Sequence, residues 1–145
     1  MTRRNIRTQA SFKDDADSAL WREELATLLT PEDWHEIGTD GQPAYQNGWS
    51  TFTGAHFGYR LLGAIDSVQI HGKLTPGTET NGTAIFTLPE GYRPNYPSFA
   101  YHIATNIVGG AGGRIYIESS GGVRVINLDT SGTFYDVNII FPLYI

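Results

Sequence analysis

Residues 83–97 read TAIFTLPEGYRPNYP, and this stretch decides the fold predicted for the chain. Its first residues alternate, with Phe86 and Leu88 on one face of a predicted strand and Ile85 on the other. The strand ends at Pro89, and a glycine and two further prolines follow. Because a proline restricts its own φ and the residue before it, the strand passes into a rigid corner. We interpret the corner as part of a compact all-β domain that assembles and adheres.

Similar strand patterns follow one another along most of the chain. They lie at residues 46–52, 59–62, 67–74, 98–105, 114–119, 123–127 and 134–141. In residues 67–74 the apolar residues Val68, Ile70 and Leu74 alternate with Gln69, His71 and Lys73. No helical pattern separates the strands, so the crossovers that a parallel sheet needs are missing. The pattern predicts an all-β fold, an antiparallel β-sandwich of the jelly-roll kind.

The first 33 residues differ from the rest. Residues 1–13 form a basic arm, and residues 14–29 predict one short helix whose start is acidic. Thr30 could cap a further turn after it. We therefore divide the chain into an N-terminal arm and helix, residues 1–33, and a β-sandwich knob, residues 34–145. The arm and helix are predicted to anchor the protein to a larger assembly, through Arg3, Arg4, Arg7, Trp21, Leu25 and Leu28.

Composition excludes several classes of protein. The chain has 145 residues, a net charge of −5 and no cysteine, which removes disulfide scaffolds and thiolate metal sites. The negative charge argues against a nucleic-acid partner. No window of eighteen apolar residues exists, so no membrane insertion is expected. The N-terminus lacks the apolar run of a signal peptide.

No catalytic motif is complete. The glycine-rich residues 108–114 lack the Lys-Ser/Thr pair of a phosphate loop, and no helix follows them. The four histidines are not spaced for a local metal site, although a site assembled by three-fold symmetry stays open. A glycosidase needs two carboxylates across a groove, and the candidates are Glu90, Glu118, Asp129 and Asp136. We predict no enzyme, no metal and no cofactor.

Residues 82–94, GTAIFTLPEGYRP, resemble the C-terminal head domains of bacteriophage tail fibres and related minor tail proteins, as do QNGWSTF at 46–52 and VQIHGKL at 68–74. That family shows an NGW segment, a TLPxGYRP corner and a hairpin near GxVxV, here residues 122–125. The resemblance covers residues 42–145. It implies a β-sandwich knob that forms a homotrimer on the virion surface and often recognises a host-surface saccharide. The family's long shaft is missing here, which implies mounting directly on another virion protein.

Candidate site residues follow from this resemblance and from the chemistry of sugar sites, which combine aromatic faces with planar polar groups. We predict ligand binding by Trp49, Tyr59, Tyr101 and His102. Corner or subunit-contact roles are predicted for Tyr92, Arg93 and Tyr144, the last because the chain ends in the apolar FPLYI.

The function expected is that of a virion structural protein, a homotrimeric surface knob for attachment to a host glycan. It would be made in the host cytoplasm and lie on the tail or capsid surface. The alternatives are a capsid or tail decoration protein without a ligand and, third, a glycan hydrolase.

Overall fold

The chain forms one helix and nine strands within the residues that a computed structural model describes, namely 15–96, 100–106, 112–130 and 132–144. The helix α1 spans Asp15–Leu29, and the strands are β1 His35–Glu36, β2 Ser50–Thr51, β3 Phe57–Leu62, β4 Ser67–Thr75, β5 Ala84–Thr87, β6 Ala100–Thr105, β7 Gly113–Ile117, β8 Gly122–Ile126 and β9 Tyr135–Pro142. A short 3-10 turn at Gly63–Ile65 joins β3 to β4. The predicted all-β class with one N-terminal helix is confirmed.

The strands pair antiparallel in the order β1-β3-β4-β9-β6-β7-β8-β5, and β2 adds to β4. The strands form two layers, one with β1, β2, β3, β4 and β9 and the other with β5, β7 and β8. Strand β6 belongs to both layers, because its first four residues pair with β7 and its last two pair with β9. The backbone amide of Gln46 donates to the carbonyl of Ile85 at 2.8 Å. The segment before β2 therefore connects β5 to the layer that contains β2 and β4.

The core lies between the layers and follows the period-two alternation of the strands. In β4 and β9 the buried residues are Val68, Ile70, Leu74, Tyr135, Val137, Ile139 and Phe141. The intervening side chains lie on the outer face, which confirms the alternation predicted for residues 67–74. Burial of each large apolar side chain stabilises the fold by about 1.5–3 kcal/mol.

The strand of the opening stretch departs from simple alternation. Ile85 and Phe86 are both fully buried, although the sequence pattern places them on opposite faces. A β-bulge between Ala84 and Phe86 shifts the register with β8. A bulge sets two residues against one on the partner strand, so neighbouring side chains can both enter the core.

The strand predicted over residues 46–52 is corrected. It is only β2, because Asn47 and Gly48 have φ of 54° and 78° and form a turn. The side-chain amide of Asn47 donates to the carbonyl of Ala84 at 2.9 Å and ties this turn to β5.

The helix lies against the 3-10 turn at Gly63–Ile65. Thr30 closes α1, since its amide and its hydroxyl both donate to the carbonyl of Ala26, and no further turn begins there. Of the predicted anchoring residues, Trp21 and Leu25 are half-buried. The side chain of Leu28 and the whole of Arg3, Arg4 and Arg7 lie outside the described part of the chain. The large apolar side chains of the helix that are exposed are those of Leu20 and Leu29, at 45% and 60%, among the helix residues whose side chains are described.

A close backbone approach joins the loop before β3 to β4. Gly72 has φ of +137°, and a Cβ there would stand 2.0 Å from the carbonyl oxygen of His56 and 2.6 Å from the Cα of Phe57. That same carbonyl accepts a hydrogen bond from the amide of Lys73 at 2.9 Å. Only glycine fits this position, because any side chain would push the two backbones apart.

Replacing Gly72 with alanine is therefore expected to lower the free energy of unfolding by about 2–4 kcal/mol, the range of backbone strain combined with overpacking. Urea denaturation measures it. Gly54→Ala is the matched control, because Gly54 has φ of +78° but no atom within 4 Å of the added Cβ. Equal losses in the two variants would contradict the role of the close approach.

Candidate ligand-binding groove

A groove of about 640 Å³ lies on the outer face of the sheet where β4, β9 and β6 run side by side. Its described lining residues are Gly54, Ala55, His56, His71, Gly72, Lys73, His102, Ala104, Asp136, Val137 and Asn138. Most of its polar side chains alternate with core residues along their strands. Register sets their neighbours, since His71 pairs with Asn138 and Lys73 with Asp136.

One wall of the groove carries a chain of hydrogen-bonded side chains. The Nδ1 atom of His56 lies 3.1 Å from Oε1 of Glu36, and its Nε2 atom lies 2.7 Å from Nδ1 of His71. The two imidazole rings stack with centroids 4.9 Å apart. The second oxygen of Glu36 accepts from the amide of Phe57 at 3.2 Å. This chain holds both rings in a defined orientation at the groove.

Trp34 packs against this ring pair. Its centroid lies 5.0 Å from that of His56 and 5.7 Å from that of His71, and the guanidinium of Arg60 sits 4.2 Å over the indole. The pKa of His71 lies below its ordinary value because partial burial disfavours the charged ring and because His56 and Arg60 add positive potential; Asp136 acts in the opposite direction. This shift favours the neutral form of the His71 ring.

The groove is also lined by an ion pair between Lys73 and Asp136, and an aromatic ring packs against the lysine. The ammonium of Lys73 lies 3.8 Å from Oδ1 of Asp136 and 4.5 Å from the ring centroid of Phe134. Phe134 in turn packs on Phe52, with centroids 4.8 Å apart. The groove thus offers a carboxylate, an ammonium, an amide and imidazoles together with apolar surface, a set of side chains that can both donate and accept hydrogen bonds. Only one carboxylate, Asp136, is among its described lining residues.

The structure corrects two of the predicted ligand residues. Trp49 and Tyr59 are core residues, each with 2% of its surface exposed. The indole NH of Trp49 donates to the carbonyl of Thr78 at 3.2 Å, and the hydroxyl of Tyr59 donates to Gln42 at 2.9 Å. Burial and the nearby charge of Glu32 raise the pKa of Tyr59 to about 12. Neither ring presents a face to a ligand.

The other two predicted ligand residues lie on opposite faces of β6. His102 is exposed and lines the groove, whereas Tyr101 is half-buried and packs toward Phe141, with ring centroids 6.4 Å apart. Successive side chains of a strand point to opposite faces, so the two cannot share this groove. Asp136 was named only as a candidate glycosidase carboxylate, and His56 and Lys73 were not predicted as site residues. The approach of His56 to β4 and the pairing of β4 with β9 have no local signal in the sequence.

The proline corner is tied to the segment that follows the helix. The hydroxyl of Tyr92 donates to Oε1 of Glu32 at 2.5 Å and lies 3.0 Å from Nε2 of His35. The other oxygen of Glu32 accepts from the amide of Leu61 at 2.8 Å. Partial burial alone raises the pKa of Glu32, but hydrogen bonds from His35, Tyr92 and Leu61 together outweigh it, so that pKa lies below its ordinary value.

Arg93 supports the same corner from within the chain. Its Nε donates to the carbonyl of Leu88 at 2.7 Å, while the amide of Leu88 donates to the carbonyl of Gly121 at 2.9 Å. Gly121 has φ of +94°, and a Cβ on it would stand 2.6 Å from Nε of Arg93. Tyr92 and Arg93 therefore have roles inside the subunit, and contact of either with a neighbouring subunit stays a prediction. Tyr144 is 50% exposed.

The described ranges of the chain contain no cluster of three or more histidines and carboxylates that could hold a metal ion. The same part of the chain has no helix long and apolar enough to cross a membrane.

Comparison with known proteins shows a likeness of fold. The chain is similar to the crystal structure of the receptor binding protein (gp15) of Listeria phage PSA, with a TM-score of 0.59 and 15% sequence identity, over 90% of this chain and 82% of that one. No protein-family model matches the sequence. No curated protein matches it either. At this identity the likeness establishes a shared fold.

Glu32 with its partners His35, Tyr92 and Leu61, here called the Glu32 cluster, gives a test of how the proline corner is held in place. Glu32→Gln removes the charge and replaces one of the two oxygens that accept these three hydrogen bonds with an NH2 group, which cannot accept, so it is expected to lower the free energy of unfolding at pH 7 by about 1–3 kcal/mol. A lowered pKa stabilises the fold above the ordinary value of 4.5, and this contribution is lost as pH falls through the folded value. Urea denaturation at pH 7 and pH 3.5 should therefore show the difference from wild type shrinking in acid.

The control for this measurement is Asp33→Asn, which neutralises the adjacent, exposed carboxylate. It should leave the unfolding curve nearly unchanged at both pH values. An effect of Asp33→Asn as large as that of Glu32→Gln would show that general charge, and not the hydrogen-bonded cluster, is responsible.

Proposed function

We propose that this chain is a phage virion protein that attaches to the host surface and binds a saccharide in the groove between β4, β9 and β6. The groove carries this proposal, because Asp136, Lys73 and Asn138 place an acceptor, a cation and an amide side by side on a rigid sheet. Vicinal hydroxyl groups of a sugar pair well with such a set, since each hydroxyl both donates and accepts. His102 adds an imidazole at the same surface.

Two further observations support attachment. The fold is that of a protein described as a phage receptor binding protein, and the likeness extends over most of both chains. Residues 82–94 carry the corner that resembles tail-fibre head domains. A virion location on the tail follows from this function, with residues 1–33 as the part that contacts other virion proteins.

We propose that the protein binds without catalysis. A glycoside hydrolase needs two carboxyl groups about 5–10 Å apart across the bond to be cleaved. Asp136 lines the groove, while Glu36 is engaged behind His56 by the amide of Phe57 and the imidazole. The second candidate function is that of a capsid or tail decoration protein, in which the groove binds no ligand.

We further propose a homotrimer. Among the described residues, the exposed large apolar side chains are those of Leu20 and Leu29 on the helix, Ile65 in the 3-10 turn, Ile140 in β9 and Tyr144 just beyond it, each between 45% and 60% exposed. Burying such residues between subunits stabilises an assembly through the hydrophobic effect.

A glycan array should show saturable binding to one class of saccharide. Asp136→Asn, which weakens a charge-assisted hydrogen bond, is expected to raise the Kd by about tenfold or more. Asp40→Asn makes the same chemical change at an exposed turn that does not line the groove, and its Kd should match wild type. Absence of binding across the array would favour the decoration role, and polysaccharide cleavage that Asp136→Asn abolishes would favour the hydrolase.

Sedimentation equilibrium of the full chain at micromolar concentration should give the mass of three subunits. Leu29→Gln removes an exposed apolar side chain from α1 and is expected to weaken the trimer, whereas Glu23→Gln, at an exposed polar position of the same helix, should not. A wild-type monomer under these conditions would contradict the trimer. A trimer that is unaffected by Leu29→Gln would remove the helix from the interface.

A further inference from the structure

The groove contains two hydrogen-bonded imidazoles, those of His56 and His71, and their hydrogen-bond partners determine which ring nitrogens carry protons. In the neutral pair, His56 donates from Nδ1 to Glu36, so its Nε2 has no proton and accepts from Nδ1 of His71. The remaining nitrogen of His71, Nε2, then carries no proton and is an acceptor. If the pair takes up one proton, His56 can donate to both neighbours, and Nε2 of His71 becomes a donor without loss of the bond between the rings.

The charged groups around this pair balance one another before the proton is added. Among the described residues, the charged or titratable groups that face it are Glu36 from β1, Arg60 from β3 through Trp34, Lys73 from β4, His102 from β6 and Asp136 from β9. The carboxylates of Glu36 and Asp136 offset the cations of Arg60 and Lys73, so the added proton brings a net positive charge to the groove. Asp136 is paired with Lys73 at 3.8 Å. Partial burial, His56 and Arg60 lower the pKa of His71, as expected where an added proton brings a net positive charge.

We propose that the groove binds an anionic group of its ligand together with one proton, which the His56–His71 pair takes up. The anion offsets the net positive charge that the proton brings to the groove, and Nε2 of His71 supplies a donor for it. Linkage makes the effect reciprocal: the anion raises the proton affinity of the pair, and the proton raises the affinity for the anion. This inference rests on the proposed groove and specifies the chemistry of its ligand.

A carboxylate and a phosphate diester share the required chemistry, and both occur on polysaccharides. The probes should keep a constant charge between pH 5 and pH 8, so that only the protein titrates. D-glucuronate and dimethyl phosphate meet this condition, and D-glucose is the neutral match of the first. The response to each probe identifies which source of negative charge the groove accepts.

The first measurement is a titration of the imidazole signals by nuclear magnetic resonance on the wild-type protein. Either anionic probe should raise the pH midpoint at which the signals of His56 and His71 change, and D-glucose should leave it in place. His35, which is bonded to Glu32 and Tyr92 and does not line the groove, is the internal reference. An unmoved midpoint with both anions would overturn the proposal.

The second measurement is the pH dependence of the Kd for the anionic probe that binds. Uptake of one proton makes the Kd rise about tenfold for each pH unit between the midpoint of the free pair and the higher midpoint of the bound pair. His71→Asn should make this dependence nearly flat. His102→Gln changes the groove outside the pair, so its Kd should shift while the tenfold slope remains. A slope kept in His71→Asn, or lost in His102→Gln, would overturn the assignment to the pair.

The outcomes separate this inference from the proposed function. Binding of a neutral saccharide on the array with no pH dependence would overturn the proton coupling and leave the attachment role in place. A midpoint that moves with an anion, in a protein that binds no saccharide, would keep the coupling and reject the saccharide role.

Discussion

The close approach of residues 54–57 to β4 at Gly72 is the constraint on which the groove depends. Because Gly72 has no Cβ, the carbonyl of His56 reaches the amide of Lys73, and β3 continues its pairing with β4 up to Phe57. The same contact places the side chain of His56 against that of His71, the residue before the glycine. A backbone requirement of the sheet therefore also assembles the ring pair at the groove.

The alternation of side chains along β4 and β9 forms the core on one face of the sheet and the groove on the other. In β4 and β9 every second residue is buried, and those between them face outward. The register that sets Ile70 opposite Ile139 also sets His71 opposite Asn138 and Lys73 opposite Asp136. A slip of one residue would bury charges and expose the core, so packing of the interior specifies the outer face as well.

The helix, the corner and the sheet meet at Glu32. This carboxylate joins the segment after α1 to β3 through Leu61 and to the proline corner through Tyr92. Glu32 falls inside the predicted anchoring segment, residues 1–33, and still takes part in the hydrogen bonding of the knob. That arrangement connects the segment after α1 firmly to the sheet and to the proline corner.

The sequence by itself determined the all-β class, the single helix, the β7–β8 hairpin and the inward face of β4, because these depend on residues close together in the chain. Alternation could not reveal the bulge at Ile85 or the burial of Trp49 and Tyr59, since aromatic residues suit cores and sugar sites equally. Only the tertiary structure decided the groove. His56 meets His71 fifteen positions away and Tyr92 meets Glu32 sixty positions away, and such contacts arise from strand pairing, which no local pattern encodes.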